Sequence, residues 1–105
     1  MAIRPEGGVH MRKYEVMYIV NSSLDEDMRQ TEMNNIEMLI NVNGGTVTKT
    51  DDWGIRAFAY PIDHMLKGHY VVVEFDGNND TVSELHRLTN INKNIVRFMI
   101  TQRNN

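Results

Sequence analysis

Asp63, His64 and His69 are the titratable residues whose spacing comes nearest to a catalytic or metal-binding group. Two histidines five residues apart can share a metal ion only if a third ligand joins them, and this spacing matches no established ligand set. We expect instead that His64 is a solvated loop histidine and that His69 is packed in a strand. The sequence therefore predicts neither a metal site nor a cofactor.

Other patterns typical of enzymes are missing. The chain has no cysteine, which excludes thiolate nucleophiles, disulfides and thiolate zinc sites and favours a reducing, cytoplasmic setting. Gly44-Gly45 is expected to end a helix rather than to cradle a phosphate, because no P-loop lysine and hydroxyl follow it. No serine or threonine has a neighbouring base. We predict that the protein is not an enzyme and has no small-molecule substrate.

Basic residues are the other group with a chemical use, because guanidinium and ammonium groups bind phosphate. Those expected near the predicted sheet are Arg12, Lys13, Arg56, Lys67, Lys93 and Arg97. The 105-residue chain nevertheless has a net charge of −3, so a nucleic-acid surface must be local or must be shared with a basic partner. We expect Arg12 and Arg97 on adjacent strands, and we expect both to converge with Arg56 on one anion.

The elements that must position these residues follow a recognisable order. Strand patterns cover 12–20, 46–62, 68–75 and 95–101, with a bulge or bend expected at 51–54. Capping boxes at Ser23 and Thr81 predict the starts of two helices. Glu32 falls within the apolar stripe of the first helix, where we expect its carboxylate to reach water from the edge of the stripe.

This β-α-β-β-α-β order predicts an α+β, ferredoxin-like fold, with a four-stranded antiparallel sheet and two helices on one face. We expect one domain over 11–102. Residues 1–10 are expected to be a disordered extension that could be foreign to the protein, and 103–105 a short tail. No apolar run approaches the length of a membrane span, so we expect no membrane contact.

The sheet face without helices is expected to be apolar. Met17 and Ile19 alternate with residues of the core face, yet neither is polar as a solvent-facing strand would require. The predicted patch consists of Met17, Ile19, Tyr70, Val72 and Met99, adjoining Tyr60 and Ile62. An apolar patch of this size predicts a contact with another protein.

Several segments, taken together, resemble one protein family. They are Met11-Arg-Lys-Tyr-Glu15, Asp52-Trp-Gly-Ile-Arg56 with Ala59-Tyr-Pro-Ile62, Lys67-Gly-His-Tyr70 and Ile95-Val-Arg-Phe-Met99. In this order and spacing they resemble the bacterial family of small-subunit ribosomal protein six, over Met11 to about Gln102. The resemblance implies a structural constituent of the small subunit of cytoplasmic ribosomes. It also implies binding to the central domain of 16S ribosomal RNA together with small-subunit ribosomal protein eighteen.

The same resemblance implies contact positions on this chain. They are Arg12, Arg56, Tyr60 and Arg97, for RNA or for the protein partner, and the uncovered sheet face with the long second strand is expected against that partner. To the RNA contacts we add Lys13 and Lys93, which the predicted topology places near the same sheet. The full set of predicted RNA contacts is Arg12, Lys13, Arg56, Lys93 and Arg97.

Two other functions remain compatible with the residues. One is a free-standing RNA binder of the RNA-recognition type, because Lys67 to Phe75 loosely resembles the motif that stacks bases on such a sheet. In that reading only Tyr70 stacks a base, and Met17 and Ile19 stand where a second ring is needed. The other is a small-ligand regulatory domain of the same fold, which would need a pocket between two copies and a catalytic domain to regulate.

Overall fold

The structure is a computed structural model that describes residues 11–62 and 64–103. Its elements are β1 (Arg12–Asn21), α1 (Glu26–Val42), β2 (Thr46–Ile62), β3 (Met65–Gly77), α2 (Asn79–Asn90) and β4 (Ile95–Gln102). The strands form one antiparallel sheet in the order β2-β3-β1-β4. The predicted ferredoxin-like fold is confirmed. Residues 1–10, expected to be an extension, lie outside the described residues.

Both helices begin at other caps than the sequence predicts. The Asp25 carboxylate accepts the Met28 amide at 2.8 Å and caps α1, whereas the hydroxyl of Ser23 donates to the side chain of Asn21 in the preceding turn. In α2 the cap is Asn78, and the predicted capping residue Thr81 is the third helical residue of the same capping box. Several polar residues precede each helix, and the turn geometry decides which one caps it.

The helices cover one face of the sheet and bury alternate residues of β1 and β3. The core cluster comprises Tyr14, Val16, Tyr18, Val20, Met33, Ile36, Ile40, Val71, Val73, Phe75, Leu85 and Ile95. Burying one such side chain contributes about 1.5–3 kcal/mol relative to leaving it in water. The packed layer holds the two central strands in place, so the opposite face is presented on a rigid support. None of the described helices is long and apolar enough to cross a membrane.

The Glu32 carboxylate was expected to reach water, but in the structure it is bound by two side-chain amides. The two carboxylate oxygens of this half-buried residue accept the side-chain amides of Asn92 at 2.7 Å and Asn94 at 2.8 Å. A carboxylate drawn toward a packed helix stripe needs donors to replace lost water, and two amides supply them. These bonds tie α1 to the loop between α2 and β4, which carries Lys93.

Strand β2 extends beyond the end of β1. Its last pairs, Ala57 with Lys67 and Ile62 with Met65, are made with β3 alone, so the two strands continue as a hairpin. Tyr60 lies on this hairpin and is 70% exposed. The hairpin carries Tyr60 and Ile62 beyond the end of β1, and their contact with the patch stays a prediction.

Candidate functional site on the uncovered face

The register of the sheet brings the predicted apolar residues onto one face. They are Met17, Ile19, Tyr70, Val72 and Met99. Met17 lies opposite Val72 on one side and Met99 on the other, and Ile19 lies opposite Tyr70. Directly opposed residues of neighbouring strands point to the same face, and the core residues of β1 alternate with these toward the helices. We call this side, away from the helices, the uncovered face.

The patch has a nearly buried floor and an exposed border. Ile19 is 6% exposed and Val72 is 7% exposed, whereas Met99 is 54% exposed. Two shallow depressions share Met17 and Met99. Their linings are Met17, Ile19, Arg97, Phe98 and Met99 for one, and Glu15, Met17, Trp53, Val72, Met99 and Thr101 for the other. The floor is therefore continuous from β4 to β2.

Two aromatic residues that sequence reasoning missed complete the patch. The Trp53 ring stacks on Tyr70 with a centroid distance of 6.3 Å, and the Phe58 ring meets Tyr70 edge-on at 6.0 Å. Gly68 makes room for Phe58, because a Cβ at this position would lie 2.3 Å from Ile19 Cγ2 and 2.8 Å from the Phe58 ring. We call Ile19, Trp53, Phe58 and Tyr70 the aromatic end of the uncovered face.

Trp53 lies within a bulge in β2. Asp52 pairs with Val71, whereas Gly54 pairs with Tyr70, so Trp53 is an additional residue in β2. Gly54 has a φ of 78°, which lies in the left-handed region that glycine tolerates best. This bulge lies where the sequence predicts a bend.

The extra residue also shifts the alternation of side chains that follow it. In a regular strand, residues at odd spacing from Trp53 point to the opposite face, so Arg56 and Phe58 would face away from it. One inserted residue reverses that alternation, and both come to the face of Trp53. The Arg56 guanidinium carbon lies 5.3 Å from the Trp53 ring centroid, and Nε donates to the Trp53 carbonyl at 3.3 Å. The ring thus holds a cation on the uncovered face.

The opposite end of the uncovered face is occupied by ion pairs. Glu15 and Glu74 lie directly opposite each other on β1 and β3. Their mutual repulsion is offset by Arg103, whose Nη1 lies 3.2 Å from a Glu15 oxygen and 3.3 Å from a Glu74 oxygen. We call Lys13, Glu15, Lys49, Glu74 and Arg103 the charged end. Arg103, expected to lie in a tail, therefore takes part in the domain.

The predicted convergence of Arg12, Arg56 and Arg97 on one anion is wrong. Arg12 is the first residue of β1, whereas Arg97 of β4 lies opposite Ile19 near the other end of β1. At about 3.3 Å per residue the two arginines are about 23 Å apart along the strand. They also point to opposite faces, because Arg12 shares the alternation of the core residues of β1. The strands are adjacent as predicted, but the register separates the two guanidinium groups.

Four exposed cations instead surround the Asn21 end of the sheet. Arg56 lies opposite Gly68, which lies opposite Asn21. The loop of Lys93 is bonded to the same place, because the Asn21 amide donates to the Asn94 carbonyl at 2.9 Å. We call these cations the basic rim, which comprises Arg56, Lys67, Lys93 and Arg97. The rim borders the aromatic end through Arg56 and Arg97.

The basic rim differs from Lys13 and Lys49 in its pairing. Within residues 11–62 and 64–103, no ion pair includes a member of the rim. Lys13, by contrast, lies 3.8 Å from Asp76, and Lys49 lies 3.5 Å from Asp51. Of the predicted RNA contacts, Arg56, Lys93 and Arg97 thus share one end of the sheet. Lys13 and Arg12 lie at the other end.

His69 points to the covered face and not toward a catalytic group. Its Nε2 lies 2.6 Å from Asp52 Oδ1, and its Nδ1 accepts the Nε–H of Arg29 at 3.1 Å. Because arginine only donates, His69 carries its proton on Nε2. Partial burial opposes ionisation of Asp52, but the bonds from His69 and the Gly54 amide outweigh it and hold the pKa of this carboxyl below its usual value.

Of the other two residues of the candidate catalytic group, the structure describes only His64. His64 is exposed in the turn between β2 and β3, with a φ of 66°, and Asp63 lies outside the described residues. Within the described ranges, no three histidine, aspartate or glutamate side chains form a group able to hold a metal ion.

Comparison with known proteins gives one consistent family. Residues 13–102 match the family model described as Ribosomal protein S6. The small ribosomal subunit protein bS6 of Fusobacterium nucleatum is 37% identical over 92 residues, which cover 88% of this chain and 98% of that protein. The same protein of Exiguobacterium sibiricum is 42% identical over 92 residues, covering 88% and 97%. The crystal structure of 30S ribosomal protein S6 from Thermotoga maritima superposes with a TM-score of 0.86 at 26% identity, covering 90% of this chain and 89% of that one.

Proposed function

Since the chain belongs to the ribosomal protein S6 family and is a structural, non-enzymatic component of the small ribosomal subunit, we propose how it is held there. It binds the central domain of 16S ribosomal RNA together with a basic protein, small-subunit ribosomal protein eighteen. The protein partner docks on the aromatic end of the uncovered face, and the basic rim contacts RNA phosphates beside it.

The observation that carries this proposal is the combination of rings and a cation at the aromatic end. Trp53 is 46% exposed although it stacks on Tyr70, and Arg56 lies over the Trp53 ring. Tryptophan, tyrosine and arginine around a desolvated centre are the residues that carry most binding energy in protein interfaces. The nearly buried floor of Ile19 and Val72 supplies that centre.

Charge explains why a partner is needed for RNA. The whole chain carries −3, and only the basic rim presents several cations without carboxylate partners among the described residues. A few phosphate contacts on an acidic protein support binding in the non-specific range, roughly 10⁻⁴ to 10⁻⁶ M by analogy with DNA. A basic protein on the adjoining aromatic end extends the cationic surface and raises the affinity.

The geometry disfavours a free-standing RNA-recognition domain. Such a domain stacks bases on rings exposed at the centre of its sheet. Here Tyr70 is already in contact with Trp53 and Phe58, and the adjacent position of β1 holds Ile19. Tyr70, the one ring that the described part of the two central strands presents on this face, is therefore engaged by protein, which fits a protein contact better than a base.

The test uses the purified chain, the basic partner and an RNA fragment of the 16S central domain. We expect the chain alone to bind RNA no more tightly than about 1 μM, in the non-specific range, and the pair to bind at least about 100-fold more tightly. Trp53→Ala should weaken heterodimer formation by about 30-fold or more, the size of an interface hot spot.

Lys13→Ala is the matched control, because Lys13 lies on the same sheet but at the charged end. It should leave heterodimer formation unchanged. Nanomolar RNA binding by the chain alone would contradict the need for a partner, and a Trp53→Ala variant that binds the partner normally would contradict docking at the aromatic end.

A further inference from the structure

We propose that a hydrogen-bonded chain on the covered face, Arg29–His69–Asp52, positions Trp53 and Arg56 on the uncovered face by holding the β2 bulge. The helical layer thereby shapes a surface that it does not touch. The expected effect on partner binding rests on the proposed function, in which Trp53 contacts the protein partner. The positioning itself does not depend on it.

The chain joins three elements in sequence. Arg29 of α1 is anchored by Nη1, which donates to the Leu24 carbonyl at 2.6 Å, and its Nε donates to His69 of β3 at 3.1 Å. His69 is 9% exposed, and its Nε2 donates to Asp52 of β2 at 2.6 Å. A buried imidazole with both nitrogens engaged is held in one orientation and one tautomer. The Asp52 carboxylate is therefore held relative to α1 and β3.

Asp52 connects this chain to the bulge. The same oxygen that accepts the His69 proton, Oδ1, also accepts the Gly54 amide at 2.9 Å. An aspartate that bonds the amide two residues later mimics a backbone turn and stabilises it. Here the turn encloses Trp53 and includes the left-handed Gly54. The carboxylate thus favours the local backbone that accommodates the extra residue.

The bulge decides which face receives the interface residues. If β2 ran through this point without the extra residue, Arg56 and Phe58 would point away from Trp53. The position of Arg56 over Trp53 and the edge-on contact of Phe58 with Tyr70 would then be lost together. A competing explanation is that Gly54 sets the bulge unaided, through its freedom at positive φ. The two explanations differ in whether the Asp52 carboxylate matters.

The fold supplies a matched control. Thr50 lies two residues before Asp52 on the same face of β2, and its hydroxyl donates to Glu37 of α1 at 2.8 Å. This bond also connects β2 to α1, but no hydrogen bond among the described residues leads from it to Gly54. Thr50→Val removes the link between strand and helix while the bulge keeps its own hydrogen bond.

Trp53 is the only tryptophan in the sequence, so its fluorescence reports on the bulge directly. In folded Asp52→Ala, checked by circular dichroism, we expect a shift of the emission maximum to longer wavelength and stronger quenching by acrylamide. Asp52→Asn retains an acceptor oxygen and should restore most of the wild-type signal. Thr50→Val should give the wild-type signal. Arg29→Met leaves Asp52 and Gly54 in place and should cause a smaller shift in the same direction.

Unchanged emission and quenching in folded Asp52→Ala would overturn the positioning role. If that variant does not fold, Arg29→Met decides the same question, and an unchanged Trp53 signal there would overturn the contribution of the helical layer. Partner affinity is measured on the same samples, with a loss of about tenfold expected for Asp52→Ala. A displaced Trp53 with undiminished partner affinity would overturn docking through Trp53 in the proposed function and leave the positioning role supported.

Discussion

The aromatic end and the charged end share one face of the sheet, but their cations have different partners. At the charged end, Arg103 neutralises the opposed pair Glu15 and Glu74. At the aromatic end, Arg56 lies over a ring and forms no ion pair among the described residues. Exposed ion pairs contribute little to stability and leave little charge for a ligand. Cations without carboxylate partners beside an apolar floor are available to bind.

The largest effect is expected from charge placed in the floor between the two ends. Val72 is nearly buried and lies opposite Met17 and Asp51. A carboxylate introduced by Val72→Asp would lose solvation and would face the Asp51 charge. We expect loss of the heterodimer and destabilisation by about 2–4 kcal/mol, measured by urea denaturation.

Met99→Asp separates binding from stability, because Met99 is more than half exposed. This variant should fold with nearly wild-type stability and should still fail to co-purify with the basic partner. Retained co-purification by Met99→Asp would show that the floor near β4 lies outside the interface.

A smaller effect is expected when the basic rim loses single charges. Arg97→Ala should weaken assembly of the heterodimer onto the RNA fragment and reduce the salt slope of binding by about one counterion. Arg12 lies at the far end of β1, so any loss in Arg12→Ala should add to that of Arg97→Ala without coupling. A salt titration of the two single variants and the double variant measures both. Wild-type slopes in Arg97→Ala would mean that this arginine makes no phosphate contact.

At the charged end we expect a change in stability without a change in binding. Arg103→Ala leaves Glu15 and Glu74 opposed without a cation. It should lower the free energy of unfolding by about 0.5–1 kcal/mol at low salt. The decrease should be smaller at high salt, because salt screens the repulsion between the two carboxylates. Thermal denaturation at two salt concentrations measures this. If partner or RNA binding weakened instead, the charged end would also belong to the interface.

The smallest effect is expected at Lys49, which lies on the edge strand and pairs with Asp51 at 3.5 Å. Lys49→Ala should change stability by less than about 0.5 kcal/mol and leave the salt slope of RNA binding unchanged. Compared with Arg97→Ala in the same titration, Lys49→Ala tests whether position in the basic rim, rather than charge alone, decides RNA contact.

Local patterns predicted much of this surface. Alternation along β1 placed Met17 and Ile19 away from the core, and the same period held in β3 and β4. The predicted bend at 51–54 is the bulge. Trp53 and Phe58 were not predicted as members. Trp53 lies within the bend itself, and the face of every later residue in β2, such as Phe58, depends on where the extra residue lies.

The sequence by itself determined the order of the elements, the side of each central strand that enters the core, and the lack of an enzyme-like motif, because these follow from the period and type of neighbouring residues. Only the tertiary structure decided which cations are neighbours and which rings meet. Arg12 and Arg97 are separated by the register of β1 and β4, and Trp53 is placed by a bulge bonded through Asp52 to His69. Both depend on pairing between residues far apart in the chain, which no local pattern encodes.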